Sequence, residues 1–212
     1  VPRTVLIIRH GHAHSMATYT HTSATCQGLT ALGREQARDL ARRLAAEHEV
    51  TTLITSPVLR AAQTATAVGA AVGLTPRVCP DLRVPDPGPG EGHSWDALRT
   101  RYGPDPTHPP RPACGESWAQ YLQRSHATLT RLLEDHDDGT LAIVGHSETV
   151  LSALTLLIGT PVLRALQVAV GPTSVTALRA VRERDTVPIT WQRWELSALG
   201  DTSHLTERAL VH

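Results

Sequence analysis

Thr4-Val5-Leu6-Ile7-Ile8-Arg9-His10-Gly11-His12 decides how the rest of the chain is read. Four consecutive apolar residues closed by a glycine suit a central parallel strand, buried on both faces, whose C-terminal end opens into a loop. Ligands of α/β sheets gather at that edge. Arg9 offers a fixed fork of donors for a phosphate or carboxylate. His10 beside it offers a ring nitrogen that can act as nucleophile, base or ligand. The pair could equally be a solvated strand end, so the remaining chain has to decide.

Residues 12 to 28 are small and polar, with His12, His14 and His21, and read as a loop at the same edge. A helix is predicted from Thr30, with Ala37, Leu40, Ala41, Leu44 and Ala45 on one face. Leu53-Ile54-Thr55 is a short strand. Ser56-Pro57 then reads as an N-cap and first helical residue, which puts Arg60 in the first turn, where unpaired N–H groups favour an anion. From about Pro76 to Pro112 periodicity gives way to prolines and glycines, a length that points to a functional segment, read here as a cap over the site. Helical spacing resumes at Glu116, with Trp118, Tyr121, Leu122, Leu129, Leu132 and Leu133 inward. Leu141-Ala142-Ile143-Val144 is a second fully apolar strand, followed by Gly145-His146-Ser147-Glu148 and an apolar helix to Ile158. Ser174 to Val181 alternates as a strand does, and Ile189 to Trp194 reads as the next, an edge strand. The expected fold is therefore one α/β domain spanning residues 1–212 with a cap insertion at about 76–115. It is a three-layer α/β/α sandwich with a mostly parallel central sheet and one antiparallel edge strand.

Composition narrows the partners. Among 212 residues, 20 basic and 20 acidic side chains balance, so nothing steers the chain to nucleic acid or membrane. Every one of those basic residues is arginine, which favours bidentate anion contacts. Cys26, Cys79 and Cys114 are far apart and odd in number, which argues against a disulfide framework or zinc ribbon and makes a reducing, cytoplasmic setting the default. No apolar run reaches membrane-spanning length. A homodimer is compatible with the sequence, which carries no signal for oligomeric state.

Taken together, these features resemble the histidine phosphatase superfamily, also called the phosphoglycerate mutase-like family. The resemblance is carried by Arg9-His10-Gly11 after a first strand and by Leu29-Thr30-x-Leu32-Gly33-x-x-Gln36-Ala37. It continues through Thr55-Ser56-Pro57-x-x-Arg60-Ala61-x-Gln63-Thr64-Ala65, Gly115-Glu116-Ser117, Val144-Gly145-His146 and Asp201-Thr202-Ser203-His204-Leu205. It implies that His10 becomes phosphorylated, that Arg9 and Arg60 hold the phosphoryl oxygens, and that His146 completes the pocket. Gly11, Ser15, Glu116 and Ser147 would line the substrate. An expanded phosphoryl-transfer transition state needs positive donors around its equatorial oxygens and an in-line nucleophile. Two arginines and a histidine supply those donors, so neither metal nor other cofactor is expected.

The sequence departs from the family pattern in two places. Where many members carry a glutamate in an L-x-E motif, Leu82-Arg83-Val84 places a valine, although Gly88 and Glu91-Gly92 keep the following register. Replacement acids are Glu91, favoured, with Asp86 and Glu148 behind it. A good leaving group, such as an acyl phosphate or phosphohistidine, would need none. After Arg-His-Gly, His12-Ala13-His14-Ser15-Met16 lacks an expected phosphate-side amide, for which Ser15 or His14 can substitute.

The favoured reading is a metal-independent phosphatase of a small phosphomonoester, with a phosphoglycerate-type mutase or a protein phosphohistidine phosphatase next. Other classes remain in view. Gly145-His146-Ser147-Glu148-Thr149 approximates a serine nucleophile elbow, with Asp201 and His204 to complete a triad, but its fifth residue is not glycine. His10, His12, His14 and His146 could gather a metal. A phosphoryl-binding module without turnover would explain the missing acid. Arg77, Arg83, Arg99, Arg101 and Arg111 hint at a second anionic group on the substrate.

Overall fold

The computed structural model describes residues 3–102, 115–136, 138–157, 159, 168, 170–181 and 193–210. Among the described residues six strands form one sheet: β1 (Thr4–Arg9), β2 (Val50–Thr55), β3 (Arg77–Val78), β4 (Thr140–Gly145), β5 (Val175–Val181) and β6 (Arg193–Asp201). The order across it is β3-β2-β4-β1-β5-β6, with β3, β2, β4 and β1 parallel. The expected antiparallel edge is a pair: β5 runs against β1, and β6 against β5. Of the edge strand expected at 189–194, only Arg193 and Trp194 fall within the described residues, and both belong to β6.

The described residues also form helices α1 (His14–Ala17), α2 (Ala31–Glu47), α3 (Leu59–Val72), α4 (Trp95–Tyr102), α5 (Trp118–Glu134) and α6 (Ser147–Leu157), with short 3-10 turns at Pro80–Leu82, Gly88–Gly90 and Glu207–Ala209. Because β1 is apolar from Val5 to Ile8 and β4 from Leu141 to Val144, both sheet faces can be covered. Leu6, Ile8, Ala142 and Val144 pack with Leu40, Leu44, Ala61, Ala65 and Val68 of α2 and α3. On the other face Val5, Ile7, Leu141 and Ile143 pack with Leu129, Leu132 and Leu133 of α5 and Val150, Ala153 and Leu154 of α6. These are the three layers. Burying each such aliphatic side chain is worth roughly 1.5–3 kcal/mol against exposure, so the paired central strands are the rigid part on which a site can be built.

Several local expectations are corrected. Ser56 does not cap α3: the helix starts at Leu59 after Val58, and the Ser56 hydroxyl is used elsewhere. Arg60 nevertheless lies in the first turn. Ser117, not Glu116, opens α5, through a capping box with Gln120. The polar loop after β1 contains the short helix α1, and the Pro/Gly-rich stretch contains β3 and α4. Thr30 caps α2 as its spacing predicted, accepting the Gly33 N–H at 3.1 Å. Residues 103–114, with Arg111 and Cys114, and Ile158 lie outside the described residues.

Candidate active site

Register brings the central groups together. Arg9 pairs with Gly145 and Thr55 with Val144, so adjacent parallel strands β1, β4 and β2 release His10, His146 and Ser56 at one level of the sheet's C-terminal edge. The rings of His10 and His146 meet edge to face, centroids 5.3 Å apart. Ser56 Oγ and His146 Nε2 share a hydrogen bond of 2.8 Å. The same hydroxyl accepts the Val58 N–H at 3.3 Å, while Val58 itself holds the N-cap position of α3.

Glycines let the loops close over these strand ends. A Cβ on Gly11 would lie 2.6 Å from the Gly33 carbonyl oxygen, and one on Gly33 would lie 1.9 Å from that of His12. The loop after His10 therefore packs directly on the start of α2. The Gly11 N–H donates to Thr64 Oγ1 at 3.1 Å, and the His12 N–H to Gln36 Oε1 at 2.8 Å. Gln63 accepts the Leu29 N–H at 2.7 Å. The Gln and Thr positions of the sequence motifs are thus braces between loops. Behind His10, the Thr173 N–H donates to its carbonyl oxygen at 3.2 Å. Thr173 holds a left-handed φ of 55°, a strained conformation for a β-branched residue. His204 Nε2 meets its hydroxyl at 3.1 Å, and Arg43 ties His204 and Asp201 together.

His10 and His146 are 4% and 1% exposed. Burial first, then the Arg60 guanidinium, hold both rings well below the usual histidine range, so each is neutral. The His10 Nδ1–H faces the Gly11 carbonyl at 2.7 Å, which leaves the lone pair on Nε2, where it accepts the Arg60 Nε–H at 3.0 Å. This tautomer is assigned from its partners. Arg60, 6% exposed, is held by the Thr22 carbonyl at 2.8 Å and approaches Cys26 Sγ at 3.3 Å. Arg9 donates to the Val170 carbonyl, while its Nε is buried without a partner. His146 Nδ1 is likewise buried and unpartnered. Orphaned buried donors are costly, and such groups mark where a ligand's acceptors would go.

The remaining expected site residues divide. Glu91 accepts both the N–H and hydroxyl of Thr25 and the Ser23 N–H. Burial alone would raise its pKa, but these donors hold it below the usual carboxylate range. It is an ionised tether between loops. Asp86 is exposed and accepts the Gly88 N–H. Glu116 makes a two-point ion pair with Arg124, at 2.8 and 2.5 Å. Glu148 accepts the Ser147 hydroxyl at 3.0 Å and sits close enough to Arg9 to oppose the lowering of its pKa by burial. Ser15 lies in α1 and lines a separate cavity with His14, Thr18 and Thr22. Val84, at the position of the usual acid, is buried with Cys26 and Val58.

Two alternative constellations do not assemble. Ser147 points its hydroxyl at its own neighbour, while His204 is bound to Thr173, so no Ser147-Asp201-His204 triad forms. Among the described residues no group of three or more His, Cys, Asp or Glu side chains could hold a metal ion, and His12 instead meets Thr30 Oγ1 at 2.9 Å.

A further pocket reaches the start of α6, two residues past His146. It is lined by His21, Pro85, Asp86, Pro87, Gly90, Trp95, Leu98, Glu116, Trp118 and Glu148. His21 stacks on Trp95 with centroids 4.6 Å apart. Gly115, at a φ of 101°, brings Glu116 against this loop, since a Cβ there would sit 2.1 Å from the Asp86 carbonyl oxygen. Sequence reading missed Thr22, Ser56, Thr173 and this aromatic wall. Only the proximity of Ser56 to a strand end was a usable signal.

The family model of the histidine phosphatase superfamily, branch 1, matches residues 5–192. A relative from Yersinia pestis, the probable phosphoglycerate mutase GpmB, is 27% identical, the alignment covering 97% of this chain and 96% of that protein. Among solved structures, Bacillus stearothermophilus YhfR superposes with a TM-score of 0.80 at 23% identity, over 96% of this chain and 99% of the other. The mycobacterial glucosyl-3-phosphoglycerate phosphatase gives 0.75 at 23% identity, over 93% and 98%. These likenesses show the fold, and the family-model match over most of the chain carries the affiliation: the chain belongs to the histidine phosphatase superfamily, branch 1.

Proposed function

We propose that the chain is a phosphomonoesterase that hydrolyses a small phosphate ester through a phosphohistidine on His10. The observation that carries this is the pairing of two buried neutral histidines, one with its Nε2 lone pair beside Arg60 and the other with an unpartnered Nδ1. A phosphoryl group entering between them takes over the Arg60 donors and meets those of Arg9. Nε2 of His10 then attacks phosphorus in line as the bond to the leaving oxygen breaks. Developing charge on the equatorial oxygens is met by the arginines and His146, an electrostatic contribution of about 3–4 kcal/mol per well-placed donor. Water next attacks the phosphohistidine and releases inorganic phosphate.

For the proton to the leaving oxygen, Glu148 is the better candidate than Glu91 or Asp86. Glu91 is spent on Ser23 and Thr25, and Asp86 faces solvent with Gly88, whereas Glu148 follows His146 by two residues and its charge offsets the burial of Arg9. A phosphate monoester with its second pKa near about 6 enters partly as the monoanion. Its own proton can be relayed by Glu148 to the alcohol. Holding a phosphoenzyme for a mutase cycle is the second reading, favoured by the name of the Yersinia pestis relative.

The test is turnover of a generic aryl phosphate in excess chelator by the parent chain and by His10→Ala. Chelator-resistant activity lost by about four orders of magnitude in the variant is expected. Activity that survives in His10→Ala would overturn the phosphohistidine route. Isomerisation of a phosphoglycerate faster than its hydrolysis would favour the mutase.

A further inference from the structure

The pocket beside the phosphoryl site has a charge and a texture of its own. Its walls are Trp95, Trp118, Leu98 and the two prolines 85 and 87, with carboxylates of Asp86, Glu116 and Glu148 among them. No arginine among the described residues lines it. Three of the five arginines expected to greet a second anion are placed elsewhere, and Arg111 lies outside the described residues. Arg77 is exposed on β3, Arg83 pairs with Asp81 at 3.8 Å, and Arg99 binds Asp96 and the Tyr19 hydroxyl. Among the described residues, of the three carboxylates only Glu116 is ion-paired, with Arg124. The His21 ring that stacks on Trp95 is kept below the usual histidine range mainly by burial, so it adds a π face and no fixed charge.

We infer that this pocket takes the leaving group, and that it selects alcohols carrying an alkylammonium over those carrying a carboxylate. The inference rests on the phosphatase reading above and deepens it. Trp faces attract cations through the ring quadrupole, and the carboxylates lining the pocket add a field of the same preference. Arg9 and Arg60 on one side with Glu148 and Asp86 on the other make the combined site dipolar. A zwitterionic amino-alcohol phosphate matches both halves. A phosphoglycerate would press its carboxylate against Asp86 and Glu148.

The experiment compares phosphorylcholine, phosphorylethanolamine, glycerol phosphate and phosphoglycerate as substrates, beside an aryl phosphate, for the parent, Asp86→Asn and Trp118→Leu. The ammonium esters should exceed the phosphoglycerate in kcat/KM by about ten-fold or more. Asp86→Asn keeps the acceptor for Gly88 and removes the charge, so it should shrink that ratio by roughly three-fold. Trp118→Leu should cut phosphorylcholine more than glycerol phosphate. Equal or better use of the phosphoglycerate, with aryl phosphate still turned over, would overturn the inference and leave the phosphatase reading intact. If no ester is turned over at all, the phosphatase reading fails. The pocket is then judged by thermal shift in the parent chain and in His10→Ala: greater stabilisation by phosphorylcholine than by phosphoglycerate upholds the selectivity, and the reverse order ends it.

Discussion

Arg9, His10, Arg60 and His146 stand on two strand ends and the first turn of a helix, whereas the neighbouring pocket is walled by loop residues Pro85, Asp86 and Pro87 and by Trp95 and Trp118 at helix starts. The first group is held by the sheet register and by glycine contacts with no room for a side chain. The second depends on loop-to-loop bonds, such as His21 N–H to the His93 carbonyl at 3.0 Å and Gly92 N–H to the His21 carbonyl at 2.8 Å. Chemistry that must be placed to a fraction of an ångström is built on the rigid frame. Selection among leaving groups is left to segments that can change without disturbing it.

Glu148 lies on the border between the two regions, so it offers the largest test of their separation. If it relays the proton, Glu148→Gln should lower kcat/KM about a hundred-fold for alkyl phosphates and only slightly for an aryl phosphate, whose leaving group needs no proton. A loss that tracks leaving-group charge instead of leaving-group basicity would place Glu148 wholly in the selective pocket.

Buried neutral histidines give the phosphoryl region a signature in stability. In the unfolded chain His10 and His146 titrate near about 6.5, while in the folded chain burial, Arg60 and Arg9 keep them unprotonated well below that. Below this pH the unfolded state therefore binds more protons than the folded state, and stability present at neutral pH is lost as pH falls. Each ring contributes a slope of at most ~1.4 kcal/mol per pH unit. Urea unfolding between about pH 7.5 and 5.5 should show this decline, and His10→Ala should make it shallower. Parallel curves for the two proteins would mean that His10 is not held neutral.

Sequence made the rigid region legible and the adaptable one largely not, for a physical reason. An unbroken apolar run such as Leu6-Ile7-Ile8 has few ways to be buried, and Arg9-His10 at its end can only emerge at the sheet edge. The first-turn position of Arg60 survived even though Ser56 was wrongly read as a cap, because helix phase tolerates a shift of two residues at its start. Which way Arg99 of the Pro/Gly-rich stretch faces was not legible, since it is set by a long-range contact with the Tyr19 hydroxyl. Glu91 was legible as important but not as a tether. Nothing local announces that its partners are Ser23 and Thr25, almost seventy positions away.

Glu91 also supplies the smallest and most discriminating prediction, because it ties the two regions together. Its bonds fix the loop whose Thr22 carbonyl holds Arg60, and Arg60 in turn meets His10. Replacing the carboxylate with an amide keeps one acceptor and loses the charge-assisted character of the bonds. Glu91→Gln should therefore cost about 1–2 kcal/mol of stability in urea unfolding. It should also lower kcat/KM only about three- to ten-fold, equally for aryl and alkyl esters, since a misplaced Arg60 serves every leaving group badly alike. A general acid would behave differently: the variant would keep its stability, spare aryl esters and fail on alkyl ones. The ratio of the two esters, read together with the unfolding midpoint, thus separates a residue that positions the arginine from one that donates the proton.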